Sequence, residues 1–244
     1  MDESCNQLSK LMSQNRLDYY DDKLVIKPWG QEYLLYRNKS KVAVWLLKIK
    51  KGKSTSLHCH PSKKTGFVLL SGKAKIQLGL WKKTEKIFDE KSKLMIRAGL
   101  FHKTKNIAKK DLIALEFETP VNKHDLVRFK DNYGRARKPY ESGKNIINFK
   151  DLKKKDEVLL IKNKNKYPQK FKINKTNLLI EKHKNFKTIN KRSFSTIYAI
   201  LDGSIVDNQN RNVVCYGDII KTGTLKKLSK HFKIKNSLKT ITIF

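Results

Sequence analysis

The sequence has little cysteine, no long apolar run and few helix signals. Its three cysteines, Cys5, Cys59 and Cys215, form no CxxC pair and indicate no disulfide framework. No window reaches the ~18 apolar residues of a membrane span, and the polar start holds no apolar segment of signal-peptide length. We therefore expect a soluble, cytoplasmic protein with no membrane span in a reducing compartment.

Acidic residues are also scarce. The chain has 22 Asp and Glu and 55 Lys and Arg, which gives a formal net charge of +33. Such a balance normally indicates a polyanionic partner such as nucleic acid or anionic lipid. Here the lysines occur in scattered runs, such as KIKKGK and KNKNK, and form no single stripe with interleaved aromatic residues. We favour a solvated surface and expect no specific nucleic-acid partner.

What the sequence does contain is a succession of short β-rich runs cut by turn residues. The runs in the first half are KVAVWLLKI (41–49), TGFVLLSG (65–72), KAKIQLGLW (73–81), SKLMIRAG (92–99) and LIALEFETP (112–120). This spacing predicts an all-β barrel or sandwich, preceded by a short amphipathic helix over 3–16. SGKA (71–74) is typical of a tight hairpin turn, and Gly99 suits a turn that needs an unusual backbone conformation.

The β pattern restarts after KPYESGKN (138–145), and the new runs lie at 177–186, 194–206, 213–223 and 238–244. Placing AILDGSI over VLLSGKAKI aligns Gly203 with Gly72, which indicates an internal repeat. We predict a tail or helix over 1–20 and two related β-domains in tandem, 21–145 and 146–244.

Two histidines one residue apart, His58 and His60, share one face of a strand. A third, His102, follows Gly99 in the GLFHKTKN turn. If that face is the barrel interior, three neutral imidazoles converge and bind a divalent ion, Zn, Fe, Mn, Ni or Co. The alternative is a half-exposed strand that carries two surface histidines.

The spacing of these residues resembles the two motifs of the cupin superfamily. The first motif is matched by Gly52, His58, His60 and Gly72, and the second by Gly99, His102 and Asn106. The resemblance implies tandem double-stranded β-helix (jelly-roll) barrels and a metal site. Two departures stand out: Thr65 replaces the expected glutamate ligand and Arg97 the proline before Gly99. Thr65 is a poor ligand, so we assign it to substrate binding beside a three-histidine site.

Three stretches narrow the resemblance: KPWGQE (27–32), SLHCH (56–60) and HDLVRFKDNYGR (124–135). Together they resemble the cupin domain of type II phosphomannose isomerases and of the C-terminal part of mannose-1-phosphate guanylyltransferases, over roughly 24–140. No nucleotidyltransferase Gly-rich loop occurs. The resemblance implies a sugar phosphate or a nucleotide sugar as ligand, in carbohydrate metabolism and surface polysaccharide assembly.

The last stretch supplies candidate substrate-binding residues. Arg128 and Arg135 can each clamp a phosphate with two hydrogen bonds, and Tyr133 can stack on a sugar. The alternative is that Arg128 pairs with Asp125 or Asp131 and only pins the segment to the barrel. An isomerase also needs a proton carrier.

The candidates for that carrier are Glu116, which could face inward, and His124.

In the second copy Ile189 and Lys191 take the places of His58 and His60, so we expect it to hold no metal and to serve packing or homodimerisation. Two rival functions remain: a three-histidine Fe(II) dioxygenase or lyase, and a non-catalytic sugar-binding or regulatory bicupin. The residues leave open whether the protein is an enzyme.

Overall fold

The structure is a computed structural model that describes residues 18–39, 41–152 and 167–244. The helix expected over 3–16 lies outside the described residues. The strands of the first half are β1 (Lys23–Lys27), β2 (Gly30–Asn38), β3 (Val42–Ile49), β4 (Leu57–Cys59), β5 (Lys64–Ser71), β6 (Ala74–Leu78), β7 (Glu85–Phe88), β8 (Lys93–Ile96), β9 (His102–Asn106), β10 (Leu112–Thr119), β11 (Val127–Lys130) and β12 (Ile146–Asn148). Short 3-10 turns lie at Lys82–Thr84, before β7, at Gly143–Asn145, before β12, and at Phe149–Asp151, after β12.

The eight strands β3 to β10 form a jelly roll. In one antiparallel sheet β3, β10, β5 and β8 are successive neighbours, and in the other β4, β9, β6 and β7 are. Numbered along the chain from one to eight, these orders read 1-8-3-6 and 2-7-4-5, the arrangement of a double-stranded β-helix. The all-β prediction is confirmed, and residues 42–119 form such a barrel.

Four further strands extend these sheets. β12, β1 and β2 continue the first sheet, which we call the central sheet, and β11 continues the second, which we call the site sheet because it carries the histidines. β11 lies beside β4, with Arg128 directly across from His58. The strand that carries Arg128 is therefore part of the barrel wall.

The central sheet is buried on both faces. Along β3, Val42 and Val44 lie in one hydrophobic core while Ala43 and Trp45 lie in another, because successive side chains of a strand point to opposite faces. One core fills the barrel between the central and site sheets. The other is shared with the second half of the chain, which contributes residues such as Ile241.

The second half forms one antiparallel sheet, the C-terminal sheet. Its elements are β13 (Gln169–Ile173), β14 (Thr176–His183), α1 (Lys187–Asn190), β15 (Ile197–Val206), β16 (Asn212–Cys215), β17 (Ile219–Lys221), α2 (Thr222–Leu228) and β18 (Lys233–Ile243). One face packs on the central sheet. On the other face Tyr198 and Ile200 of β15 pack with Ile189 of α1 and Leu225 of α2, so two short helices close that side.

Two turns were singled out from the sequence. Gly99 has φ +74 and lies between β8 and β9, as expected for a glycine in the left-handed region. The hairpin predicted at SGKA is wrong: β5 belongs to the central sheet and β6 to the site sheet. Gly72, at φ +96, instead carries the chain across from one sheet of the barrel to the other.

That the second half of the chain is a copy of the first stays a prediction. Some structural features support it and others speak against it. The neighbours β14, β18, β15 and β17 have the same chain-order pattern as β3, β10, β5 and β8, and Gly203 has φ +81, close to that of Gly72. Against this, Ile189 lies in helix α1 and not on a strand like His58. A helix therefore stands where the repeat would place the histidine strand.

The shared core predicts that the two halves unfold together. Ile180 is 1% exposed in that core, and truncating such a residue costs about 2–5 kcal/mol. Trp29, Trp45 and Trp81 all lie in the first half, so tryptophan fluorescence in a urea titration reports on the first domain alone. We expect Ile180→Ala to lower the fluorescence midpoint, and Val213→Ala, at a 41% exposed position, to leave it unchanged. An unshifted fluorescence transition in Ile180→Ala would show that the halves unfold independently.

Candidate metal centre and buried charge cluster

The structure brings the three candidate histidines together inside the barrel. His58 on β4 pairs across the sheet with His102 on β9, and His60 follows on the same face as His58. One ring nitrogen from each of the three lies within 4.8 Å of the others. The ring centroids are 4.4 to 5.4 Å apart, so all three imidazoles face one point.

Backbone carbonyls determine which nitrogen of each ring is free. The Nδ1 atoms donate to carbonyl oxygens: His58 to Ser56 at 2.9 Å, His60 to Asp125 at 2.6 Å and His102 to Leu100 at 3.0 Å. The lone pairs are therefore on Nε2. The Nε2 atoms of His60 and His102 are buried and have no hydrogen-bond partner among the described residues.

The surroundings keep the three rings neutral. Burial lowers the pKa of His60 to about 2, helped by the charge of Lys63. Burial also lowers the pKa of His102 to about 4 and that of His58 well below its usual range. Neutral imidazoles whose second nitrogen is held by a carbonyl are what metal-binding histidines require, and the three free lone pairs that face each other could hold a metal ion. The residues fit a divalent ion without selecting one.

Thr65, at the position of the expected glutamate, is 1% exposed on β5. Its hydroxyl is buried without a hydrogen-bond partner in the described chain, and it is not among the residues that line the cavity beside the histidines. Its assignment to substrate binding has no support in this geometry. Among the described residues, the group that could hold a metal ion consists of three histidines without a carboxylate.

The histidines line a cavity of about 60 Å³, which has room for a few water molecules. Its walls carry an unusual number of ionisable side chains. Besides the histidines these are Lys27, Glu32, Lys63, Glu116, Glu118, Lys123, Arg128, Arg135 and Tyr140. A cavity so lined suits a polar, charged ligand.

Most of these charges are paired in a buried network. Glu118 accepts hydrogen bonds from Lys63 at 3.0 Å and Lys123 at 2.8 Å, and Lys123 lies 3.4 Å from Glu32. The Lys123 ammonium also lies 3.6 Å from the centroid of the Trp45 ring, a cation–π contact. Because an unpaired buried charge is costly, these pairs hold the charged walls in place.

Glu116 and Glu118 differ although both come from β10. Burial raises the pKa of Glu116 to about 7. Burial alone would raise the pKa of Glu118 as well, but Lys123 and Lys63 outweigh it and hold that pKa at about 2. Glu116 is thus the carboxyl group of the cavity that can gain and lose a proton near neutral pH.

Arg128 and Arg135 both line the cavity, and both are already engaged. Arg128 donates to the carbonyls of Lys138 and Pro139 and to the Glu141 carboxylate, and Arg135 pairs with Asp131 at 2.7 Å and with Glu141. The alternative that Arg128 pairs with Asp125 or Asp131 is not observed, because its carboxylate partner is Glu141.

Two candidate residues do not reach the cavity walls. His124 is exposed, and the Tyr133 hydroxyl accepts a hydrogen bond from the Ser54 backbone at 3.3 Å. Asn106, the end of the second motif, is fully buried and donates to the carbonyls of Ile49 and Lys110, both at 2.9 Å. Its role is to join two loops and not to contact a ligand.

Several cavity residues were missed by the sequence reasoning. The sequence analysis assigns no role to Glu118, Lys27, Glu32, Lys63, Lys123 and Tyr140, which line the cavity, or to Glu141, which pairs with cations of its wall. For Glu118 a signal is available, since the period of two along β10 places it on the same face as Glu116. Apart from Glu32 on β2, the others come from loops and strand ends, where no periodicity indicates direction.

The second and seventh strands of this jelly roll bring histidines into the barrel interior, as the resemblance of the motifs implied. More particularly, residues 14–131 match the family model described as mannose-6-phosphate isomerase C-terminal. This match confirms the resemblance seen in the sequence, and it covers slightly less than half of the chain. No curated protein matches the chain.

Solved structures show similarity at low identity. The capsular polysaccharide assembling protein CapF from Staphylococcus aureus is 17% identical over 44% of this chain and 34% of its own, with a TM-score of 0.40. KdgF from Halomonas sp. is 12% identical over 41% of this chain and 89% of its own, with a TM-score of 0.37. The chain thus spans about a third of the length of CapF.

None of the described helices has the length and apolarity needed to cross a membrane.

Loss of any one histidine should weaken metal binding. We expect His58→Ala, His60→Ala and His102→Ala each to weaken Co²⁺ or Zn²⁺ binding at least about tenfold, because second-shell changes alone already cost 10–100-fold. Isothermal titration and the visible absorption of bound Co²⁺ measure this. His124→Ala is the matched control and should bind like the wild type. Equal affinity in all four variants would contradict the site.

Glu116 should make stability depend on pH. Its folded-state pKa of about 7 lies above the ordinary value of 4.5, so the stability it contributes is complete below about pH 4.5 and is lost as the pH rises through 7. In urea titrations with EDTA, the difference in unfolding free energy between the wild type and Glu116→Gln should therefore shift against the wild type from pH 5 to 8. A difference that stays constant from pH 5 to 8 would contradict a raised pKa of Glu116.

Proposed function

We propose that the first domain binds a phosphorylated sugar in the barrel cavity and acts on it as a mannose-6-phosphate-isomerase-like enzyme. One observation carries this proposal. Three neutral histidines with free Nε2 atoms, a carboxyl group of pKa about 7 and two arginines line the same cavity. The match of residues 14–131 to the mannose-6-phosphate isomerase C-terminal family supports the same substrate class.

Each part of the site has a task in such a reaction. A divalent ion held by His58, His60 and His102 would polarise the sugar carbonyl as a Lewis acid. Glu116 takes the proton from one carbon and returns it to the next, and a pKa near the working pH suits a group that does both. The arginines hold the phosphate, because a guanidinium offers two parallel donors to its oxygens.

A second candidate, a sugar-phosphate-binding protein without catalysis, is favoured by Thr65. With no carboxylate beside the three histidines, a divalent ion is bound by neutral ligands alone and less tightly. A nucleotide-linked sugar is the alternative ligand in either case, since it also carries phosphate. The Fe(II) dioxygenase or lyase reading shares the histidines but makes no use of the charged walls.

Turnover separates the two candidates. Protein loaded in turn with Zn²⁺, Mn²⁺, Fe²⁺, Co²⁺ or Ni²⁺ is incubated with mannose 6-phosphate, and fructose 6-phosphate is measured. The isomerase proposal expects conversion that Glu116→Gln abolishes while sugar-phosphate binding remains. Binding without conversion under every metal would favour the non-catalytic candidate. Oxygen consumption with iron alone would favour the dioxygenase.

The guanidinium group of Arg135 should contribute to the affinity for phosphorylated ligands alone. We expect Arg135→Lys to weaken sugar-phosphate binding by about 1–3 kcal/mol, because a two-point hydrogen-bonded clamp becomes a point charge. Binding of the unphosphorylated sugar should stay the same. Calorimetric titration of both ligands into both proteins tests this, and unaltered affinity for both ligands would assign Arg135 to holding the chain alone.

A further inference from the structure

The segment after β11 returns to the barrel and places one carboxylate inside it. We call residues 131–142 the exit strap. Residues 136–139 are exposed, whereas Glu141 is 9% exposed. The strap also places Tyr140 in the cavity wall, with its hydroxyl on Glu32. A surface segment thus inserts a tyrosine and a glutamate between the charged walls.

Three cations surround the Glu141 carboxylate. Lys27 and Arg135 each donate to one of its oxygens, and Arg128 lies 3.3 and 3.2 Å from the two oxygens. All three cations line the cavity, and Arg128 is directly across from the metal-ligand candidate His58. We call Lys27, Arg128 and Arg135 the anion cage.

The cage holds more positive charge than its own carboxylates neutralise. Glu141 and Asp131 are the carboxylates that pair with the cage alone, so three cations share two carboxylates. A further carboxylate, Glu32, lies 3.5 Å from Lys27 and 3.4 Å from Lys123 and is divided between them, so part of one positive charge remains. In addition, the Nε donor of Arg128, a residue 5% exposed, is buried with no acceptor among the described residues.

A phosphate group would satisfy this cage better than a carboxylate does. A phosphate monoester carries a charge of about −1.5 to −2 at pH 7 and offers three acceptor oxygens. It would supply both the missing negative charge and an acceptor for the free donor. The cage is therefore suited to a phosphate and occupied by a smaller, less charged group.

We propose that the anion cage is the phosphate-binding subsite of the cavity and that Glu141 is its internal occupant, displaced when a phosphate enters. The proposal rests on the proposed function for the identity of the phosphate as that of a sugar. Lys27, Arg128 and Arg135 tie the end of the strap to the barrel through Glu141, so displacement of Glu141 releases that end. It withdraws Tyr140 as well and enlarges the cavity.

An internal competitor lowers the apparent affinity for the external ligand by the fraction of time that the site is open. Glu141→Gln keeps the size of the side chain and removes its charge. We expect inorganic phosphate to bind this variant at least about tenfold more tightly than the wild type, in calorimetric titrations with EDTA at constant ionic strength. EDTA removes binding through a metal.

The matched control is Asp89→Asn. It removes one negative charge from an exposed carboxylate that pairs with Lys73 at 3.1 Å, far from the cage in its contacts, so it reports the effect of net charge alone. It should bind phosphate like the wild type. Equal phosphate affinity in Glu141→Gln and wild type, or an equal gain in both variants, would overturn the proposal.

A second measurement uses the wild type, in case Glu141→Gln fails to fold with its cations unpaired. Hydrogen exchange of the peptide that contains residues 136–142 is followed with and without phosphate. Displacement predicts faster exchange with phosphate, and slower or unchanged exchange would overturn the proposal.

The two proposals can fail separately. Tighter phosphate binding in Glu141→Gln without any sugar isomerisation would support the phosphate subsite and contradict the isomerase proposal. Isomerisation with an unchanged phosphate affinity in Glu141→Gln would support the isomerase proposal and contradict the phosphate subsite.

Discussion

The burial of the central sheet on both faces is the constraint on which the rest of the structure depends. β3, β5 and β10 alternate their apolar side chains between two cores, as with Phe67 and Leu69 in the barrel and Val68 and Leu70 against the C-terminal sheet. A strand that packs on both sides tolerates few polar residues. The positions where β10 breaks this rule, Glu116 and Glu118, are therefore where the cavity lies.

Those carboxylates require partners, and the partners shape the site. Lys63 and Glu118 are each 1% exposed, and removing one member of such a buried pair typically costs about 3–5 kcal/mol. The barrel interior is therefore a fixed arrangement of charges and not a flexible polar pocket. Lys63 is also one of the causes of the low pKa of His60, so the charge network and the histidine group are one electrostatic unit.

The exit strap completes that unit from outside the jelly roll. The motif VRFKDNYGR, which runs from β11 into the strap, carries both candidate arginines, but the residues that follow it in the strap are equally important to the structure. Glu141 forms ion pairs with Lys27 of the first strand and with both arginines. The strap is thus both the lining of the cavity and the chain's own ligand for its cations.

The sequence by itself determined the local features of this protein. Strand positions followed from the period of two and from turn residues, and His58, His60 and His102 followed from spacing, because both signals come from neighbours along the chain. Only the tertiary structure decided that SGKA crosses between sheets, that Thr65 and His124 do not line the cavity, and that Arg128 pairs with Glu141. It alone placed Lys27, Lys63 and Lys123 in the barrel. In a chain with 55 basic residues, the few that are buried differ from the rest in their distant partners and not in their sequence neighbours.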